Sequence, residues 1–402
     1  MAKISQVVER LPESPISNMF KVAADIKAAG RDVIDLTFGE PGFPTPVDAA
    51  NAGIDAIKAG QTKYTANAGT PEMRASVQLK FKRDYGLDLP LNRVLSGPGA
   101  KNLIFSVMQS TLDPGDEVIV PTPYYPVFEG MPLLLGCDVR HVSCSEDTGF
   151  KLTADTLRAA IGPKSRLLIL NSPSNPTGAV YSREELSGLA EVLRDHPTLW
   201  ILSDDVYENI IFDDQPFTSL IHVAPDLEDR IVIVNGVSKG YAMTGWRLGY
   251  VAASAKLIVA LEAVISQTAT AAPTMSQVAA IAALEGDQGY LADRCKTFQT
   301  RRDKVVDAIN AMNGLSLLNP EGGIFAFFNI SDLIGRSLSD GRLIDSGDTF
   351  AMALLQDQAV ALVPGNAFGA PHHVRLSLGV SDKLLEEALV RIDHFVEGLT
   401  TG

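Results

Sequence analysis

Cysteine is scarce: Cys137, Cys144 and Cys295 are the only three in 402 residues. None stands in a CxxC pair or with a histidine at ligand spacing, which argues against a disulfide framework and a zinc site; all three read as buried filler. Basic residues are also short. Lys and Arg number 34 against 48 Asp and Glu, a formal net charge of -14, so the chain repels phosphate backbones and anionic lipid headgroups and is not expected to bind nucleic acid. Nowhere does an apolar run reach the roughly 18 residues that a membrane span needs. The opening stretch MAKISQVVERLPESPISNMF has no signal-peptide core, and the expectation is a cytoplasmic protein without membrane contact. Internal repeats and low-complexity tracts are missing too. The adjacent His372 and His373 have no carboxylate at a matching helical offset, so they read as loop residues and no metal is expected.

What remains is an ordinary globular composition, 46% hydrophobic and 20% charged. At about 150 residues per domain, the length suggests two domains. From about Asn51 to Gly286, short apolar runs alternate with amphipathic stretches, the pattern of a doubly wound α/β sheet. The strand candidates are Glu117 to Val120, Arg166 to Leu170, Leu199 to Leu202, Arg230 to Val234 and Gly249 to Ala252. Between the second and third, Ser182 with Glu185 forms a capping box that opens a crossover helix. Strands joined in this way end along one edge of the sheet, and there ligands of open α/β folds bind. The expected division is an N-terminal segment 1–50, rich in proline and packed on the small domain, a large domain 51–286, and a small α+β domain 287–402. The last of these begins with one long polar helix.

Residues that directly follow the strands carry the chemistry. After RIVIV comes NGVSKGYAMTGWRLGY, where Lys239 sits on glycine-interrupted backbone at the ligand edge. Desolvation there lowers an ammonium pKa, as an amine that condenses with an aldehyde requires. Arg247 offers a planar fork for a phosphate. Both are also compatible with solvated loop positions. One strand earlier, Asp204 and Tyr207 follow LWIL; a buried carboxylate at that place needs a cation, although Asp also favours helix N-caps. Asn175, in NSPSNPTG, can donate to a phenolate oxygen or serve the turn alone. The stretch SGPGAKN opens a helix near Gly99, with Leu103, Ile104, Val107 and Met108 on its buried face, and free N–H groups at such a start bind phosphate. A dinucleotide fingerprint is broken there, because Asn102 occupies the sixth position of GxGxxG. Tyr125 follows another strand and can stack on a planar ring or pack in the core. Tyr64 in KYTAN is equally open. Arg375, inside the apolar run VRLSLG, must meet an anion, either a substrate carboxylate or an internal Asp or Glu.

Taken in order, FGEPGFPTP, YTANAGTPEMRASV, SGPGAKNL, LDPGDEVIVPTPYYPVF, NSPSNPTG, SDDVYE, SKGYAMTGWRLGY, VPGNAFG and VRLSLG resemble the class I and II aminotransferases. These are the fold type I pyridoxal-phosphate enzymes, and the resemblance is strongest to their aspartate aminotransferase-like subgroup. It implies a mostly parallel seven-stranded sheet flanked by helices, a smaller α+β domain, and a homodimer with shared active sites. It further implies that Lys239 holds pyridoxal 5'-phosphate as a Schiff base, that Asp204 pairs with the pyridine nitrogen, and that Tyr207 and Asn175 hold the phenolic oxygen. Arg247 and the backbone of Gly99, Ala100 and Lys101 would hold the phosphate. Tyr125 would stack on the ring, Tyr64 would reach the phosphate of the neighbouring subunit, and Gly39 and Arg375, with Tyr125 and Asn175 beside them, would bind the substrate.

Three positions depart from the commonest pattern: Asp205 where Glu is usual, Gly236 where many relatives have a phosphate-binding Ser, and Tyr125 where aspartate-specific members often have Trp. They bear on side-chain preference and leave phosphate binding leaning on Arg247. The implied reaction moves the α-amino group of an L-amino acid to a 2-oxo acid, with Lys239 as general base for the α-proton. A lyase, decarboxylase or oxidase on the same scaffold is the alternative. A ligand-sensing regulator would need a DNA-binding segment, for which this acidic chain leaves no N-terminal room.

Overall fold

Near-continuous burial along the central strands and one-sided burial along the helices decide how this chain folds. The structure, a computed structural model, describes residues 2–11 and 15–401. In chain order the strands are β1 (Ile34–Asp35), β2 (Val94–Gly97), β3 (Glu117–Thr122), β4 (Asp138–Ser143), β5 (Ser165–Asn171), β6 (Trp200–Asp204) and β7 (Ile231–Gly236). They continue with β8 (Gly249–Ala252), β9 (Phe325–Asn329), β10 (Arg336–Ser337), β11 (Val360–Ala361), β12 (Val363–Pro364), β13 (His373–Ser377) and β14 (Thr400–Thr401).

Seven of them form one sheet in the order β2-β8-β7-β6-β5-β3-β4. All neighbours are parallel except β8, which runs antiparallel to both β2 and β7. Successive side chains go to opposite faces: Ile201 and Ile233 join a core with Met73, Val77, Phe81 and Tyr85. Leu202, Val232 and Val234 join another with Leu103, Ile104, Val107 and Met108. The sheet is therefore buried on both sides, as parallel sheets are. The crossover helix Arg183–Arg194 begins at the expected capping box: Glu185 N–H donates to Ser182 Oγ at 3.1 Å and Ser182 N–H to Glu185 Oε2 at 2.7 Å. Such a cap contributes about 1 kcal/mol to the helix start.

A second apolar core surrounds the antiparallel sheet β12-β13-β9, packed by Phe298, Val305 and Ile309 of the long helix Gly289–Ala311 and by Leu385, Ile392 and Phe395 of the helix Asp382–Glu397. This is the smaller α+β domain. From the N-terminal segment, β1 pairs parallel with β11, and Met19 and Ala23 pack on Ala351, Leu355 and Ala361. His373 is not a loop residue. It opens β13, stacks on Phe327 at 4.8 Å between centroids, and meets Glu146 Oε1 at 2.8 Å through Nε2. Cys295 is only half-buried, whereas Cys137 and Cys144 are buried.

Candidate active site

The carboxyl ends of β5, β6 and β7 deliver Asn171, Asp204 and Gly236 to one edge of the sheet, and a cavity of about 420 Å³ opens above them. It is of the size that holds a small cofactor with a substrate. Gly39, Ala100, Lys101, Tyr125, Asn175, Asp204, Tyr207, Lys239, Arg247 and Arg375 all line it. Gly99 adjoins it through Arg247. Of the residues singled out in the sequence, only Tyr64 stands apart, 94% exposed and outside the cavity wall.

Lys239 lies in the turn after β7, and its Nζ donates to Gly39 O at 2.5 Å, 5.7 Å from the Tyr207 ring centroid. Burial pushes the ammonium down to about 8, with Arg375 adding to the effect and Asp204 and Glu40 opposing it. Asp204 faces the same space, with Oδ1 buried and without a hydrogen-bond partner. Burial, and then the neighbouring Asp205, push its carboxyl up to about 7. Asp204 caps no helix. Burial also holds the Tyr207 phenol well above its usual range.

Arg375 is fully buried in β13. Its Nη1 donates to Asn175 Oδ1 at 3.0 Å and its Nη2 to Thr37 O at 2.7 Å, while Nε has no partner. The plane lies 4.1 Å from the Phe325 centroid and 4.9 Å from that of Phe368. No Asp or Glu among the described residues pairs with it, which removes the internal ion pair as an explanation, and burial lowers its pKa to about 10. Because Asn175 Oδ1 is engaged by Arg375, the donor left on that amide is Nδ2.

At the opposite end of the cavity the helix Ala100–Thr111 starts on Gly99, at φ +89°, with no side-chain cap. Its first N–H groups are left for a ligand. Arg247, itself left-handed at φ +51°, is braced by a 2.9 Å bond from Nη1 to Thr244 O. A Cβ on Gly99 would come within 2.6 Å of Arg247 Nη2, so the glycine makes room for the guanidinium. Close approach also explains Gly236: a Cβ there would meet Leu248 O at 2.9 Å and Gly249 Cα at 3.1 Å. Sequence reading missed Ser238, Thr244, Glu40 and Phe325, all in the cavity wall. Ser238 and Thr244 lie inside the lysine motif and were findable. Phe325 had no signal of its own.

This geometry fits pyridoxal 5'-phosphate: a desolvated amine, a buried carboxylate with one oxygen unpartnered for a pyridinium, and a helix start beside an arginine for a phosphate. The family model described as "Aminotransferase class I and II" matches residues 31–392. An aspartate/prephenate aminotransferase of Cereibacter sphaeroides is 44% identical over 400 residues, all of both chains. The crystal structure of an aspartate aminotransferase from Rhizobium meliloti superposes at TM-score 0.97, with 41% identity and full coverage of both chains. That of the Thermus thermophilus aspartate aminotransferase with maleate does so at 0.90, with 33% identity over 98% of this chain and 100% of that one. The chain thus belongs to the class I and II aminotransferases, pyridoxal-phosphate enzymes that move the amino group of an amino acid to a 2-oxo acid.

Proposed function

We propose that the substrate of this chain is a dicarboxylic amino acid of the aspartate type, anchored by Arg375. The observation that carries this is the guanidinium itself: fully buried, with Nε unpartnered and no carboxylate beside it. A charge so placed is costly unless an anion joins it, and a substrate α-carboxylate takes its fork. Lys101 supplies a second cation. It lines the cavity 5.4 Å from the Tyr125 ring and makes no salt bridge among the described residues. The names of the relatives agree with two carboxylates, since aspartate, prephenate and maleate each carry two.

When bound, the pyridoxal group serves as an electron sink for the substrate α-carbon. Asp204 would hold the pyridine nitrogen protonated, and Tyr207 with Asn175 Nδ2 would bind the phenolic oxygen. The N–H groups following Gly99, at Ala100 and Lys101, would bind the phosphate with Arg247, and Ser238 would add a hydroxyl in place of the one missing at Gly236. Tyr125 would stack on the ring. Lys239 Nζ would hold the cofactor covalently until the substrate amine displaces it, and the freed amine would then take the α-proton and return it, a task suited to an amine whose pKa lies near 8. Gly39, through its carbonyl, orients that amine.

The protein works as a cytoplasmic homodimer, in which Tyr64 reaches the phosphate of the neighbouring site. Its near-complete exposure supports this, as do the half-exposed apolar side chains of Ile54 and Ile57 on the preceding helix Val47–Lys58. The two domains divide near residue 286, with residues 1–50 packed mainly on the smaller one. The test is a screen of amino donors against 2-oxoglutarate and oxaloacetate. Aspartate and glutamate should exceed neutral aliphatic donors at least ten-fold in kcat/KM. Equal rates for both classes, or release of ammonia or carbon dioxide without transfer, would contradict the reading.

A further inference from the structure

Behind Asp204, on the opposite face of the sheet, lies a second buried carboxylate that the reaction does not touch. Asp205 is 1% exposed, and its hydrogen bonds have a fixed direction. Gly236 N–H donates to Asn235 Oδ1 at 2.7 Å, which leaves the Asn235 amide to donate from Nδ2 to Tyr85 OH at 3.2 Å. The Tyr85 hydroxyl then gives its own proton to Asp205 Oδ2, 3.1 Å away, with Glu208 the competing acceptor. Ser203 Oγ donates to Oδ1 at 2.6 Å, with Ser219 Oγ 3.4 Å behind it. Both oxygens of Asp205 therefore accept, and a proton placed on either would break the chain. Among the described residues no cation pairs with this charge. Lys80, the nearby buried ammonium, is bound by Glu208 and Asp84. The remaining titratable neighbours are Glu208, which adds a like charge beside Asp205 and Tyr85, with Tyr250 and His222, whose ring lies 5.5 Å from that of Tyr85.

We infer that Asp205 is a positioning residue held as an unneutralised carboxylate, and that its charge makes Asp204 the stronger base that keeps the cofactor pyridine nitrogen protonated. Burial pushes Asp205 up to about 7 against the pull of the three hydroxyls, so above neutral pH it carries its charge. A like charge so close raises the proton affinity of Asp204, and through Asp204 that of the pyridine nitrogen.

The inference rests on Asp204 being the pyridine partner, and the test separates the two. Load the protein with pyridoxal phosphate labelled with nitrogen-15 in the ring, and follow the pyridine-nitrogen shift with pH. Asp205→Asn should lower the midpoint by on the order of one pH unit, with Asp205→Glu restoring it; a purely structural role would change Tm and leave the midpoint alone. If Asp205→Asn does not fold, Tyr85→Phe removes the directing hydroxyl and should move the midpoint the same way by less. An unmoved midpoint in the folded variants overturns the inference. If Asp204→Asn also leaves it unmoved, the pyridine assignment falls with it.

Discussion

Arg375 and Asn175, 200 residues apart in the chain, are joined by a buried 3.0 Å hydrogen bond from guanidinium to amide oxygen. One contact thus ties the proposed substrate anchor on β13 to the turn that carries Asn175. Arg375→Lys keeps the charge but loses the planar fork, and it frees the Asn175 amide to rotate. We expect kcat/KM for the amino donor to fall by about 30-fold or more, about 2 kcal/mol, as for a buried charge pair that loses one partner. Steady-state kinetics on both half-reactions checks this, and a loss under three-fold contradicts the anchor role.

Lys101 separates donor classes. Lys101→Met keeps the length of the side chain and the backbone N–H while removing the ammonium. The kcat/KM for aspartate should drop about ten-fold or more, the worth of one hydrogen bond to a charged group. Donors with neutral side chains should change less than about two-fold. A uniform drop across donors would place Lys101 on the cofactor instead.

Stability should carry the imprint of Lys239. Its pKa is about 8 in the folded apo chain against 10.5 ordinarily, so the folded state binds this proton more weakly than the unfolded one. Below pH 8 the burial costs about 3 kcal/mol, and stability rises as pH passes from about 8 to 10.5. Apo Lys239→Met should accordingly unfold at a higher Tm than the apo wild type at pH 7, with the gap mostly closed by pH 10. Thermal unfolding across this range checks the sign. A gap that is absent at pH 7, or that widens towards pH 10, contradicts it.

Gly99→Ala places a Cβ 2.6 Å from Arg247 Nη2 at a left-handed φ of +89°. At ψ +150° this backbone lies in a region open essentially to glycine alone, so the strain is about 1–3 kcal/mol, and displacement of the guanidinium adds to it. Cofactor dissociation should rise at least ten-fold while the fold survives, as fluorescence titration of the apo protein with pyridoxal phosphate would show.

The sheet and most of the site were legible because both follow local rules. Apolar runs of four or five residues marked β5 to β8, and Asp204 and Lys239 come straight after two of them. Gly99 betrayed the helix start. Arg375 was visible as a charge in an apolar strand, yet its partners, Thr37 O and Asn175 Oδ1, depend on three segments meeting in space, and no spacing rule encodes that. For the same reason the chain from Gly236 through Asn235 and Tyr85 to Asp205 could not be read in advance. Tyr64 lies outside its own chain's cavity wall, and no rule read from the sequence assigns it a place there.

The proposed chemistry depends on covalent attachment of the cofactor at one amine. Borohydride reduction of the loaded protein, followed by proteolysis and mass spectrometry, reads that bond. A single reduced pyridoxyl-phosphate adduct is expected, on the peptide that contains Lys239, and none in Lys239→Met. An unmodified Lys239, or an adduct that persists in the variant, would contradict it.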